Sequence, residues 1–152
     1  MIRKKRMQTI STKNKDPLKM EGFRSYIGKD VISKSGERIG RVYDMVFTGG
    51  TVAGIIIMRR LSKMFIDREF LRGVSAKAVT LSIDPVTMIL GKQVFDADGK
   101  KLGKVAKLIR KGNSNALSAI IVKKRLYSKG IKVPREDIEV SKKNIILRKA
   151  YE

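Results

Sequence analysis

The chain has 152 residues, with 35 Lys or Arg against 14 Asp or Glu, a net charge of +21. That excess adds self-repulsion to any compact state and points to a polyanionic partner, a nucleic acid or an anionic membrane surface. Without Cys or His, disulfides, thiolate metal sites and the commonest neutral-pH general base are excluded, and a hydrophobic content of 42% excludes a wholly disordered polybasic chain.

Residues 1–24 hold eight basic and two acidic side chains and no sustained apolar period, which predicts an extended basic arm. The cations Arg3 to Arg6 are not followed by the apolar stretch of a secretory leader. Ile2, Met7 and Ile10 are too few to anchor a helix on a membrane. From Gly28 onward the pattern is one of strands and tight turns. Ser35-Gly36 predicts a hairpin turn, because Gly tolerates positive φ. Arg41 to Phe47 is a strand of imperfect alternation. Ile55 to Met58 is continuous and β-branched, as expected of a strand buried on both faces. The apolar run Val52 to Met58 is far short of the roughly 20 residues that span a bilayer. Met45, Met58, Met64 and Met88 fall in apolar stretches and are expected to fill core. Lys63-Met64-Phe65-Ile66 lies in a longer loop, where Met64, Phe65 and Ile66 are expected to dock on a protein partner or on the neighbouring copy. Asp84-Pro85 predicts a turn and Val86 to Leu90 a strand after it. Lys143-Asn144 and Ile145 to Leu147 are their later counterparts.

The chain repeats itself. Gly28-Lys29-Asp30-Val31-Ile32 recurs as Gly91-Lys92-Gln93-Val94-Phe95, and the same spacing carries Gly36, Gly40 and Val42 onto Gly99, Gly103 and Val105. Gly54 to Ile57 matches Ala119 to Val122 after a two-residue insertion, and Val74 and Val79 align with Val133 and Ile138 after a deletion. The expected divisions are residues 1–24 (arm), 25–90 (first copy) and 91–152 (second copy). Charge is unequal: residues 27–90 carry ten basic and six acidic side chains, residues 91–152 seventeen and six.

Gly91-Lys92-x-Val94, the turn at Gly99, Gly103-x-Val105, the strand Ile120 to Val122 and Val133-Pro134-Arg135-Glu136-Asp137-Ile138 together resemble the PRC-barrel family. The first copy resembles it through Met58, while Val74 to Val79 lacks the Pro and both acids. The resemblance implies a mainly β chain with two tandem small, bent β-barrels. The family's settings include RimM, the photosynthetic reaction-centre H subunit and archaeal tandem-barrel proteins, some of which partner SepF in cell division. It implies docking modules rather than enzymes.

Asp96-Ala97-Asp98-Gly99 is similar to the opening of a calcium loop, but Ser33 and Ser35 replace the acids in the first copy. A hairpin turn is the expected role, with no metal. Glu136 and Asp137 are expected to favour the positive end of a one-turn helix after Pro134 rather than to do acid–base work. No catalytic residue, cofactor or small-molecule substrate is expected. The candidate RNA-binding residues form three groups: Arg3, Lys4, Lys5, Arg6, Lys13, Lys15 and Lys19 in the arm; Lys100, Lys101, Lys104, Lys107, Arg110 and Lys111; and Lys123, Lys124 and Arg125 around Tyr127. Each phosphate they neutralise releases counterions. Tyr127 either packs in a strand or stacks on an unpaired base. The expected function is a cytoplasmic, ribosome-associated rRNA-binding protein with rRNA and ribosomal proteins as partners. The alternative is a cell-division adaptor docking a SepF-like protein at the membrane through the first copy.

Overall fold

The computed structural model describes residues 22–141 and 143–152. The arm cations Arg3 to Lys19 lie outside the described residues. The chain divides into two compact units, Met1–Ile83 and Asp84–Glu152.

In the first unit a 3-10 turn, Phe23–Ser25, leads into β1 (Asp30–Ile32), β2 (Arg38–Thr48), β3 (Thr51–Arg59) and β4 (Ser62–Asp67). A second 3-10 turn, Arg68–Phe70, precedes β5 (Leu71–Val74) and β6 (Ala78–Leu81). The sheet order is β4-β3-β2-β1-β6-β5, antiparallel except where β1 runs parallel to β6. The second unit repeats the plan. A 3-10 turn, Val86–Ile89, leads into β7 (Gln93–Phe95), β8 (Lys101–Arg110), β9 (Leu117–Lys123) and β10 (Ile131–Pro134), and a 3-10 turn, Arg135–Asp137, separates these from β11 (Ile138–Ser141) and β12 (Ile145–Leu147). Its order is β10-β9-β8-β7-β12-β11.

Chain length shows why each sheet curls. In a flat six-stranded sheet the two edges would stand about 24 Å apart. Yet the edge strands β4 and β5 are joined by three residues, a path of at most about 14 Å. The edges must therefore approach each other, which bends the sheet towards a barrel. The bend is absorbed at register shifts after Val42 and Val46 in the first unit and after Val105 and Ile109 in the second. Those bulges are the cause of the imperfect alternation in Arg41 to Phe47.

Inside the second unit Val94, Leu102, Val105, Ile120, Val122, Val133, Ile138, Ile145 and Leu147 form the core. The strand registers place Val31, Ile39, Val42, Ile55, Ile57, Ile66, Val79 and Leu81 at the matching positions of the first, all buried.

Several expectations change. Ile55 to Met58 is buried on one face only: Ile55 and Ile57 are enclosed, Ile56 and Met58 half-exposed. Lys63 to Ile66 is no loop but lies in β4, paired with β3, and Ile66 is core because it stands opposite Ile55. Of the three docking residues, Phe65 faces out and is half-exposed, while Met64 is half-buried. The closing segment of the first copy is therefore Ile66-Asp67-Arg68-Glu69-Phe70-Leu71, opposite the same strand positions as Val133 to Ile138, not Val74 to Val79. Asp67 replaces Pro134, capping the turn by accepting from the Glu69 amide, and Phe70 replaces Asp137.

Val86 to Leu90 is a 3-10 turn rather than a strand, because β6 already occupies the place beside β1. The turn belongs to the second unit. Ile89 enters that core, and the Val86 amide donates to Asn115 Oδ1 at 2.7 Å. The division expected at residues 90 and 91 falls between Ile83 and Asp84.

The Asp96 and Asp137 carboxylates tie the end of the chain to the second unit. Asp96, at the position of Ser33, accepts from the amides of Asp98, Lys100 and Tyr151, so it caps the hairpin turn whose Gly99 has φ +79°. Asp137 accepts from Tyr151 Oη at 2.7 Å and pairs with Lys149 Nζ at 2.9 Å. It lies in the expected single turn after Pro134, here a 3-10 turn, and it is buried. The hydrogen bonds from Lys149 and Tyr151 hold its carboxyl below its ordinary value, against burial. At Asp96 burial pushes upward, but the three backbone donors outweigh it and its carboxyl too is lowered. Burial and the Asp137 carboxylate push the Tyr151 hydroxyl up to about 12.

The two lowered carboxyls contribute stability that is fully present above their ordinary value of 3.8 and is lost as pH falls below it. The raised tyrosine contributes stability that is present below 10.0 and lost as pH rises towards about 12. Thermal melting from pH 2 to 12 is expected to show a plateau with both shoulders. The variant Tyr151→Phe is expected to lose the alkaline one, and an unchanged alkaline shoulder would contradict the assignment.

Candidate nucleic-acid interface

Strand alternation sorts the second unit's cations by face. Ile120 and Val122 point into the core, so Ile121 and Lys123 point out, and so do their neighbours across the sheet. Lys104 stands opposite Lys123, and Lys107 and Lys132 flank Ile121 from either side. One outer face thus carries two cationic rows. Among the described residues no carboxylate lies within ion-pair reach of these lysines. Elsewhere in this unit Lys149 pairs with Asp137.

At the Lys101 end of β8 the face deepens into a groove of about 580 Å³ lined by Lys101, Gly103, Lys104, Ala106, Lys123, Lys124, Arg125 and Leu126. Gly103 makes it possible. A β-carbon there would run into the Lys123 carbonyl, so only glycine lets β8 pass so close to the end of β9. The loop beyond it, residues 124–130, holds Leu126 and Tyr127 78% and 95% exposed. Tyr127 therefore does not pack in a strand, and its ring is open to stacking.

The structure brings together Lys101, Lys104, Lys123, Lys124 and Arg125 from two of the groups expected from sequence. It sets others apart. Arg110 and Lys111 lie at the far end of β8, about 30 Å of strand away. Lys100 sits in the Asp96 turn, where its ammonium donates to the Tyr151 carbonyl at 3.4 Å.

Sequence reading passed over the matching groove of the first unit. About 670 Å³ in volume, it is lined by Arg38, Arg41, Arg59 and Arg60 with Gly40, Tyr43 and Met58. The repeat was the signal that could have found it, since Arg38 and Arg41 stand where Lys101 and Lys104 stand in the second copy. Asp30 Oδ1 lies 2.7 Å from Arg38 Nε and 3.4 Å from Arg41 Nε. The Arg38 hydrogen bond, opposed by burial and joined by Arg41, holds that carboxyl below its ordinary value. The outer face here is aromatic: Tyr43, Phe47 and Phe65, each about half-exposed, replace Ala106, Arg110 and Lys132. Lys63 Nζ lies 3.9 Å from the centre of the Tyr43 ring.

The PRC-barrel domain model matches residues 19–87 and again 84–152. The chain belongs to the PRC-barrel family. Both PRC barrels begin at the 3-10 turn before the first strand, in keeping with the unit boundary at Ile83. A crystal structure of a 16S ribosomal RNA processing protein RimM from Pseudomonas aeruginosa is similar at 10% identity and a TM-score of 0.39, over 49% of this chain and 49% of that one. The chain thus matches about half of that protein's length. No curated protein sequence matches it. No helix of the described residues is long and apolar enough to cross a membrane.

Proposed function

We propose that this tandem PRC-barrel chain is a non-catalytic RNA-binding protein that associates with ribosomal RNA, gripping phosphates with its second barrel and its basic arm. The observation that carries this reading is the outer face of β8, β9 and β10: Lys104 opposite Lys123, Lys107 and Lys132 on either side of Ile121, and no carboxylate among the described residues to neutralise them. A solvated lysine face that served stability alone would carry acids in ion-pair networks. Exposed Tyr127 beside Lys124 and Arg125 adds a ring on which an unpaired base can stack. Ribosomal RNA is the most abundant RNA a cell offers, and a cytoplasmic location goes with it. The aromatic outer face of the first barrel, with Tyr43, Phe47 and Phe65, supports a protein neighbour for that barrel, such as a ribosomal protein.

Sedimentation tests the reading. The chain should travel with ribosomal subunits at low salt and be released steeply as salt rises, as counterion release requires. A chain that stays in the light fraction at low salt, or that prefers duplex DNA of equal length over RNA, would remove ribosomal RNA as the partner.

A further inference from the structure

Beside the two grooves one position differs in charge. In the first barrel Asp30 opens β1 opposite Arg41, and its carboxylate is shared by the Arg38 and Arg41 guanidiniums. In the second barrel Gln93 opens β7 opposite Lys104 and stands where Asp30 stands. Lys101 and Lys104 take the places of the two arginines, and no carboxylate among the described residues meets them. A carboxylate and a phosphodiester present the same kind of oxyanion to cationic donors. We propose that Gln93, Lys101 and Lys104 form a phosphate-binding site at the mouth of the second barrel's groove, and that Asp30 is a built-in anion filling the matching site of the first.

The chemistry follows from the donors. Two ammonium groups and a neutral amide can all donate to one phosphate without repelling it. Lys123, Lys124 and Arg125 line the same groove and neutralise the neighbouring phosphates of a strand laid along it. Leu126 offers an apolar wall for a sugar or base. In the first barrel the same approach meets a carboxylate already bonded to both arginines, so an incoming phosphate gains little and is repelled by it. The duplication has left one pair of cations for an external anion and neutralised the other with an internal one.

The source of the phosphate, RNA, rests on the function proposed above; the site itself can be tested without RNA. Pyrophosphate titrated into the isotopically labelled full chain should shift the amide signals of Gly103, Lys104 and Lys124, and leave those of Gly40, Arg41 and Arg59 in place. Gln93→Asp should abolish the shifts in the second barrel, and Asp30→Asn should create them in the first. On a 12-nucleotide single-stranded RNA, Gln93→Asp should weaken binding about fivefold at low salt, the range of one exposed charge pair. Pyrophosphate shifting both grooves alike, or Gln93→Asp changing neither measurement, would overturn the proposal. Pyrophosphate binding at this groove in a chain without RNA affinity would uphold the site and sink the RNA reading. RNA binding by a chain whose Gly103, Lys104 and Lys124 signals do not respond to pyrophosphate would sink the site and uphold the RNA reading. Tighter binding of a polyglutamate peptide than of RNA of equal charge would overturn the assignment of the anion as phosphate.

Discussion

Replacing Gly103 by alanine is expected to destabilise the second barrel by about 3 kcal/mol or more, the sum of a strained backbone and a steric overlap. Gly103 has φ +143°, a region that side chains rarely occupy, and its added β-carbon would meet the Lys123 carbonyl and the Lys124 amide, which are backbone and cannot rotate away. For a unit of this size each kcal/mol shifts the melting temperature by about 5 °C, so a fall of about 15 °C is expected. Gly99 separates the two causes. It also has positive φ, +79°, but open space around its missing β-carbon, so Gly99→Ala is expected to cost only about 1 kcal/mol. Thermal melting of both variants decides. Equal, small losses would mean that β8 and β9 do not approach as closely as described, and the groove floor would have to be redrawn.

Neutralising Lys104, Lys107, Arg110, Lys123 and Lys132 together, each to Gln, is expected to lower affinity for single-stranded RNA by about two to three orders of magnitude at low salt. The more specific result is the salt dependence. Each phosphate contact contributes about 0.7 to the slope of log K against log salt, so the slope should fall by about 3.5. Four of the five residues are exposed and the fifth, Lys123, is half-exposed, so the fold should be retained, and melting checks this. Arg38→Gln with Arg41→Gln in the first barrel should change the slope by less than about 1, because Asp30 already neutralises that pair. A slope that falls by about 1.4 for the arginine pair, the same 0.7 for each charge removed, would mean that charge count alone, and not its arrangement on one sheet face, governs binding.

Much of this was legible in the chain itself. The repeat Gly28, Gly36, Gly40 onto Gly91, Gly99, Gly103 located both barrels, because each glycine answers a local demand: a turn or a close approach. The hairpins at Ser35-Gly36 and Asp98-Gly99 and the strand Ile145–Leu147 stand where turn chemistry put them. The closing segment of the first copy did not: Ile66-Asp67-Arg68-Glu69-Phe70-Leu71 repeats Arg135-Glu136 as Arg68-Glu69 but lacks the Pro and the second acid of Val133 to Ile138. The two also share a core position facing Ile55 or Ile120, which becomes visible only when β4 and β10 are paired. The ties of Asp137 to Lys149 and Tyr151 were not legible, because those partners come from the far end of the unit.

The cationic feature shows the same division. Composition and spacing alone determined that positive charge is concentrated in the second copy and the arm, since charge is a property of residues wherever they fold. Only the tertiary structure decided that Lys101 and Lys104 share a groove with Lys123, Lys124 and Arg125 while Lys111 lies remote, and that Asp30 pairs with Arg38 and Arg41. The reason is register. Hydrogen bonding between β8 and β9, shifted by bulges at Val105 and Ile109, sets which residues about twenty positions apart become neighbours, and no local pattern records that pairing.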